Sequence, residues 1–232
     1  PYRDLVHRWH LKKQDPEAEL SNPAEPITWW IENTTPLEWR DVIKEGVLQW
    51  NVAFEAAGFS NALEVKVQPD DAEWDAGDIK YNVLRWTSSP NPPFGGYGPS
   101  IANPLTGQII GADIMLEFVF FTNRVRYDKL YDFSSSSSEF EIGYRDDHAH
   151  CAFGESINEN LLFGHAAMEG LAAPGYDPEG LTKEGLKQLI MHEVGHTLGL
   201  NHNMKSSQLF TPAELYNKDV IAGKALTSSV MD

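Results

Sequence analysis

The apolar and polar positions along the chain alternate between two periods. A proline-punctuated polar lead-in, residues 1–26, closes with SNPAEP, and Ile27 to Ile31 is then a β-prone run. TTPLE follows as a helix start, with Thr35 as N-cap, Pro36 as first helical residue and Glu38 as the return partner of a capping box. Trp39, Ile43, Val47, Trp50, Phe54 and Ala57 recur at helical spacing until Gly58, which predicts an amphipathic helix backing a sheet. LEVKV (63–67) alternates as a half-buried strand, and IKYNVLRW (79–86) is a second strand with apolar positions on both faces. SSPNPPFGGYGPS predicts a loop, whose NPPFGGYG portion fits a lid over a cleft and an inert connection equally. GQIIGADIMLEFVFF then predicts a strand interrupted at Gly111. Residues 122–180 are expected as an insertion, with the SSSSS run (134–138) on the surface. From Thr182, as its cap, a late helix runs through KEGLKQLIMHEVGHTLG. Strand, helix, three strands and a late helix describe an α+β domain with an α/β-like sheet portion.

Composition narrows the classes. In 232 residues, 41% hydrophobic and 11% aromatic content suffices for a sizeable core. The formal charge of -16, from 34 acidic against 18 basic residues, would repel a phosphate backbone, so nucleic acid is not expected as a partner. Cys151 is the single cysteine, which excludes an intramolecular disulfide framework. No stretch approaches the roughly 20 apolar residues of a membrane span, and PYRDLVHRWH has neither an initiator Met nor a signal-like apolar region. The chain is therefore expected to be a piece of a longer polypeptide.

The chemistry concentrates in the late helix. Ile190, Val194 and Leu198 recur at i, i+4, i+8 on one face, and His192 and His196 centre on the opposite one. Two imidazoles one turn apart can reach a single Zn²⁺ at about 2.0–2.1 Å. His202 offers a third ligand if the chain turns back, and Gly199 is the residue type that tolerates the positive φ of such a stop. Three protein ligands leave a fourth position for water, and Glu193, beside the first ligand, can serve as its general base. An isolated motif of this kind also fits a decorated helix end or a closed structural zinc site. The extension to HExxHxxGxxH on an independently predicted helix favours the catalytic arrangement.

His192-Glu193-Val194-Gly195-His196-Thr197-Leu198-Gly199-Leu200-Asn201-His202 resembles the signature of metzincin-clan zinc endopeptidases, and SSVMD (228–232) resembles their Met-turn, with Met231 in that role. RWHLKKQDPEAELSNPAEPITWWIENTTPLEWRDVIKEGVLQWNVAFEAAGF, GADIMLE and LNHNMKSS extend the similarity, over nearly the whole chain, to bacterial Met-zincin-type metalloproteases. The resemblance implies a metzincin-like fold with a twisted mixed sheet, backing helix, active-site helix and Met-turn. Residues 1–232 would form one catalytic domain within a longer exported, extracytoplasmic protein with flanking domains. The upper subdomain would span 27–202 and the lower would begin at 203–232. It implies a zinc endopeptidase acting on a peptide or protein, with His192, His196 and His202 as ligands, Glu193 as base, and Gly199 and Met231 as structural support. A cleft rim built from an edge strand is expected at Gly111, Ala112 and Asp113, where a buried strand with one bulge is the alternative. Only Asp232 follows Met231 here, so the wall that follows the Met-turn in that clan is not expected within these residues. Two other functions remain open at this point: a catalytically silent, zinc-containing peptide-binding module, and a zinc hydrolase of a non-peptide amide or ester.

Three further clusters have ordinary explanations beside functional ones. RDDHAHC (145–151) offers Asp146, Asp147, His148, His150 and Cys151 for a second metal or a latency thiol, or forms a solvated loop. PDDAEWDAGD (69–78) has enough carboxylates for Ca²⁺ but no EF-hand spacing, and a charged turn accounts for it. His165, among apolar residues, is expected as a hydrogen-bonded buried histidine or a cleft-lining one.

Overall fold

The computed structural model describes residues 5–89, 95–117 and 153–232. Seven strands are described: β1 (Ile27–Ile31), β2 (Leu63–Val67), β3 (Asn82–Thr87), β4 (Gly96–Tyr97), β5 (Ser100–Ala102), β6 (Ile109–Ala112) and β7 (Ile114–Glu117). The helices are α1 (Leu37–Leu48), α2 (Trp50–Ala56), α3 (Phe153–Gly170) and α4 (Pro178–Thr197), then a 3₁₀ turn (Ser206–Leu209) and the short α5 (Pro212–Leu215) and α6 (Lys218–Ile221). The main sheet has the order β2-β1-β3-β7-β4. β1 pairs in parallel with β2 and β3, β3 pairs in parallel with β7, and β4 alone runs antiparallel, against β7. β5 and β6 form a separate antiparallel pair with a register shift at Ile101/Ala102.

In β1, Ile27, Trp29 and Ile31 are buried and the intervening residues are half-exposed, as a strand's period of two requires. The buried row joins Val42, Ile43 and Val47 of α1 and Leu186, Leu189, Ile190 and Val194 of α4 in one core. Full burial of such aliphatic side chains stabilises by about 1.5–3 kcal/mol each, so this row determines which face of α4 turns inward. On the opposite face Trp30 meets Trp74 and Tyr81 edge-on at 5.4 and 6.1 Å, so the 69–81 segment lies over the sheet.

The structure alters several local expectations. α1 begins at Leu37 with Pro36 in the N-cap position, and the Thr35 hydroxyl is buried without a partner, so no capping box forms. Arg40 instead reaches back to the Thr35 and Asn33 carbonyls at 2.8 Å each, outweighing the local cap. The single helix expected to Ala57 is divided at Gln49 into α1 and α2. α4 starts at Pro178 after Asp177, and Thr182 lies within it, its hydroxyl donating to the Pro178 carbonyl. The expected strand through Gly111 is two strands broken at Asp113, and β7 is internal to the sheet. Within the expected insertion, 122–180, residues Phe153–Gly170 are an 18-residue helix packed on α4, an element that the sequence reading had not assigned. The serine run and the 145–151 cluster lie outside the described residues.

Candidate metal centre

α4 ends at Thr197 with Leu198 as its C-cap, and Gly199 takes φ +94°. The Gly199 N–H donates to the His196 carbonyl at 2.9 Å and the Leu200 N–H donates to the Gly195 carbonyl at 3.1 Å. This pair of bonds is a Schellman stop, and it reverses the chain so that His202 faces the helix it follows. Among the described residues, the ligand atoms of His192, His196 and His202 converge to within 4.8 Å of one another. Their ring centroids are 4.7, 5.1 and 4.8 Å apart.

Both helical imidazoles are committed through Nδ1. His192 Nδ1–H donates to the Val230 carbonyl at 2.7 Å and His196 Nδ1–H donates to the Leu200 carbonyl at 3.0 Å. Each bond assigns the proton to Nδ1 and leaves the Nε2 lone pair for a metal. Phe153 stacks on His192 at 3.8 Å with an 11° interplanar angle, which holds the ring orientation. Burial pushes the His192 pKa down to about 4, with the carbonyl bond to Val230 opposing and the neighbouring histidines adding to the shift. His196 is likewise lowered, first by burial. Both rings are therefore neutral near pH 7, as metal ligation demands. His196 Nε2 is buried without a partner, and His192 Nε2 lies 3.1 Å from His202 Nε2. An orphaned buried nitrogen facing two others is costly without a shared electrophile. The donor set, three converging imidazole nitrogens, fits Zn²⁺.

Glu193 is only 1% exposed, and neither carboxylate oxygen has a partner of normal hydrogen-bond geometry. Burial raises its pKa to about 7, and the nearby Gly98 N–H offsets part of that rise. The wall against it is β4 and its continuation. A Cβ on Gly96 would stand 2.9 Å from Glu193 Oε1, and one on Gly98 would stand 3.2 Å from Oε2. Glu117 holds the start of this wall. Its carboxylate accepts from the Ser89 N–H and hydroxyl at 2.9 and 2.7 Å, and its own N–H donates to the Gly95 carbonyl at 3.1 Å.

Met231 lies beneath the helix, 2% exposed. The space a Gly195 side chain would need is taken by the Met231 sulfur and the Trp50 ring edge. The Trp50 indole N–H also donates to the Met191 carbonyl at 2.9 Å. The terminal segment is tied in by Asn203 N–H to the Met231 carbonyl at 2.6 Å and Ser228 N–H to the Ser206 carbonyl at 3.1 Å.

Residues 176–232 match the Met-zincin family. The matched segment contains α4, the three histidines, Glu193, Gly199 and Met231, and so agrees with the resemblance carried by HExxHxxGxxH. No curated protein and no solved structure matches the chain.

Gly111, Ala112 and Asp113 do not lie at the strand edge beside Glu193. Gly111 and Ala112 pair with β5, Asp113 accepts the Val83 N–H at 3.1 Å, and burial raises the pKa of that aspartate. The edge beside Glu193 is Gly96–Tyr97, because β4 pairs outside β7. The i, i+2 glycines of GGYG were the available signal for a strand face meeting another group closely, masked by the flanking prolines. Asp75 and Asp78 accept the Gly77 and Lys80 N–H groups at 2.8 and 3.0 Å, the local geometry of turns. His165 is half-buried and bonded, Nδ1 to the Tyr176 hydroxyl and Nε2 to Thr182 at 3.3 Å. Phe153, Trp50 and the Val230 carbonyl have no sequence signal that links them to the motif.

Proposed function

We propose that the chain is a zinc-dependent endopeptidase, with His192, His196 and His202 as ligands and Glu193 as the general base. The observation that carries this reading is the convergence of three histidine ligand atoms beside a buried, unpartnered carboxylate. Zinc held there supplies Lewis acidity that acidifies water and polarises a carbonyl near neutral pH.

The protein's own groups then have separable roles. The Val230 and Leu200 carbonyls orient His192 and His196 through Nδ1–H and increase their basicity at Nε2. Glu193, with its pKa raised to about 7, suits both halves of a proton shuttle: its carboxylate takes a proton from the attacking water and returns it to the departing amine nitrogen. Gly96 and Gly98 keep that carboxylate in a dry pocket, where its charge is least screened. An extended peptide would meet β4, the outermost strand on that side of the sheet among the described residues, by main-chain pairing, the mode by which strand edges recognise peptides. Met231 supports the ligand platform from below, in the manner of a Met-turn. The proposal includes an extracytoplasmic location and a peptide or protein substrate, and a supporting Ca²⁺ site has no role in it.

The deciding comparison is wild type against Glu193→Gln on a denatured protein substrate, with zinc content measured in both. Retained zinc with hydrolysis lowered by about 10²-fold or more is the expected result. Hydrolysis near the wild-type rate in the variant would remove Glu193 from the mechanism, and zinc-loaded wild type that captures but never cuts peptides would identify a binding module.

A further inference from the structure

Outside the matched segment, a short N-terminal strap reaches the turn that delivers the third histidine. The Trp9 indole N–H donates to the Thr197 carbonyl at 2.9 Å, a contact across 188 residues of sequence. Thr197 is the last residue of α4, and the final carbonyls of a helix have no intrahelical donor. Two residues earlier in the strap, the His7 carbonyl occupies the space that a side chain on Gly199 would require. The strap therefore grips both sides of the Schellman stop between His196 and His202.

The other side of the strap is anchored too. Arg8 N–H donates to the Gly107 carbonyl at 3.0 Å, and Ile109 N–H donates to the Arg8 carbonyl at 2.9 Å, so Arg8 pairs in parallel with Gln108. Gly107, at φ +73°, leaves room for the Val6 carbonyl. Val6 to Trp9 is thus threaded between the turn before β6 and the turn after α4. The exposed side chains of Leu5, Val6, His7 and Arg8 bring the strap little burial, so its backbone bonds and Trp9 hold it in place.

We propose that this strap is a positioning element of the metal centre, with Trp9 and the His7 carbonyl setting the turn that carries His202 to the ion. The inference rests on the triad holding zinc. His192 and His196 are set by the helix itself, whereas His202 depends on a three-residue excursion after Gly199. A strap that stabilises that excursion raises zinc affinity. By linkage, zinc bound to all three histidines stabilises the docked strap by the same factor.

The test pairs a zinc affinity with a local opening measurement. Zinc is titrated against a competing chelator into wild type, Trp9→Phe, which keeps a ring but loses the indole donor, and Gly107→Ala, which displaces the strap from its far side. Both variants are expected to bind zinc about fivefold or more weakly, the scale of one lost hydrogen bond. Hydrogen exchange of the Arg8 and Ile109 amides, with and without saturating zinc, is then compared with that of the β1–β2 ladder. Zinc is expected to slow the strap amides more than the ladder in wild type, and His202→Ala is expected to abolish that difference. A packing role for Trp9 alone would not make exchange at Arg8 depend on His202. Zinc affinity of Trp9→Phe within twofold of wild type, or strap exchange indifferent to zinc, would overturn the inference and leave the metal centre standing. Failure of wild type to bind zinc would overturn both.

Discussion

Gly96 lies so close to Glu193 that a Cβ on it would stand 2.9 Å from the carboxylate oxygen Oε1, at the one strand edge that runs against the rest of the sheet. The contact joins an edge strand to the proposed base, and it leaves no room for a side chain at residue 96. Gly96→Ala is expected to displace the carboxylate and to lower kcat/KM on a peptide substrate by about 100-fold, the lower range of a general base's contribution. Zinc content should remain that of wild type, because the three atoms that such a Cβ would meet first all belong to Glu193. A variant that cleaves at the wild-type rate would show that Glu193 has room to move.

Gly195 and Met231 form a second close pair, in which the sulfur fills the volume next to the glycine. Gly195→Ala is expected to cost roughly 1–3 kcal/mol through overpacking. Met231→Ala is expected to cost roughly 2–5 kcal/mol through the cavity it leaves. The double variant should be more stable than the sum of those losses implies, since removing the sulfur makes room for the new methyl. Urea unfolding of the metal-free proteins measures all three, and strict additivity would argue against the contact.

Burial of Glu193 also predicts a pH signature in the metal-free protein. Its pKa rises from 4.5 unfolded to about 7 folded, so across that window the folded state holds a proton that the unfolded state has lost. Stability from this group is complete below pH 4.5 and declines as pH rises to about 7. Relative to Glu193→Gln, wild type should lose about 3 kcal/mol across the window, at roughly 1.4 kcal/mol per pH unit. Denaturant unfolding of the pair at several pH values cancels the contributions of His192 and His196, whose lowered pKa values act in the opposite direction. A pH-independent difference would mean that the carboxylate is solvated.

Chemistry confined to a few consecutive residues was legible in the sequence. Helical periodicity put His192 and His196 on one side of α4, the glycine before His202 predicted the reversal, and the adjacent Glu193 completed the set. The Schellman stop at Gly199 follows from local bonding, which is why the sequence pattern reached it. β1 and β2 were legible for the same reason, since a five-residue run carries its own alternation.

What the chain determined by itself is thus a group of three histidines with a glutamate beside the first, a turn, and the strands and helices of strong period. Tertiary structure alone decided that β4, drawn from a proline- and glycine-rich stretch, becomes the edge beside Glu193, since a two-residue strand exists only by pairing with β7. It also decided that Phe153 stacks on His192 and that the Val230 carbonyl orients that ring. The helix starts moved for the same reason: the Thr35 cap yielded to Arg40, and Thr182 was absorbed into a helix begun at Pro178. Each of these depends on groups distant in sequence, or on burial competing with a modest local hydrogen bond of about 1 kcal/mol, and neither leaves a period that a linear pattern can record.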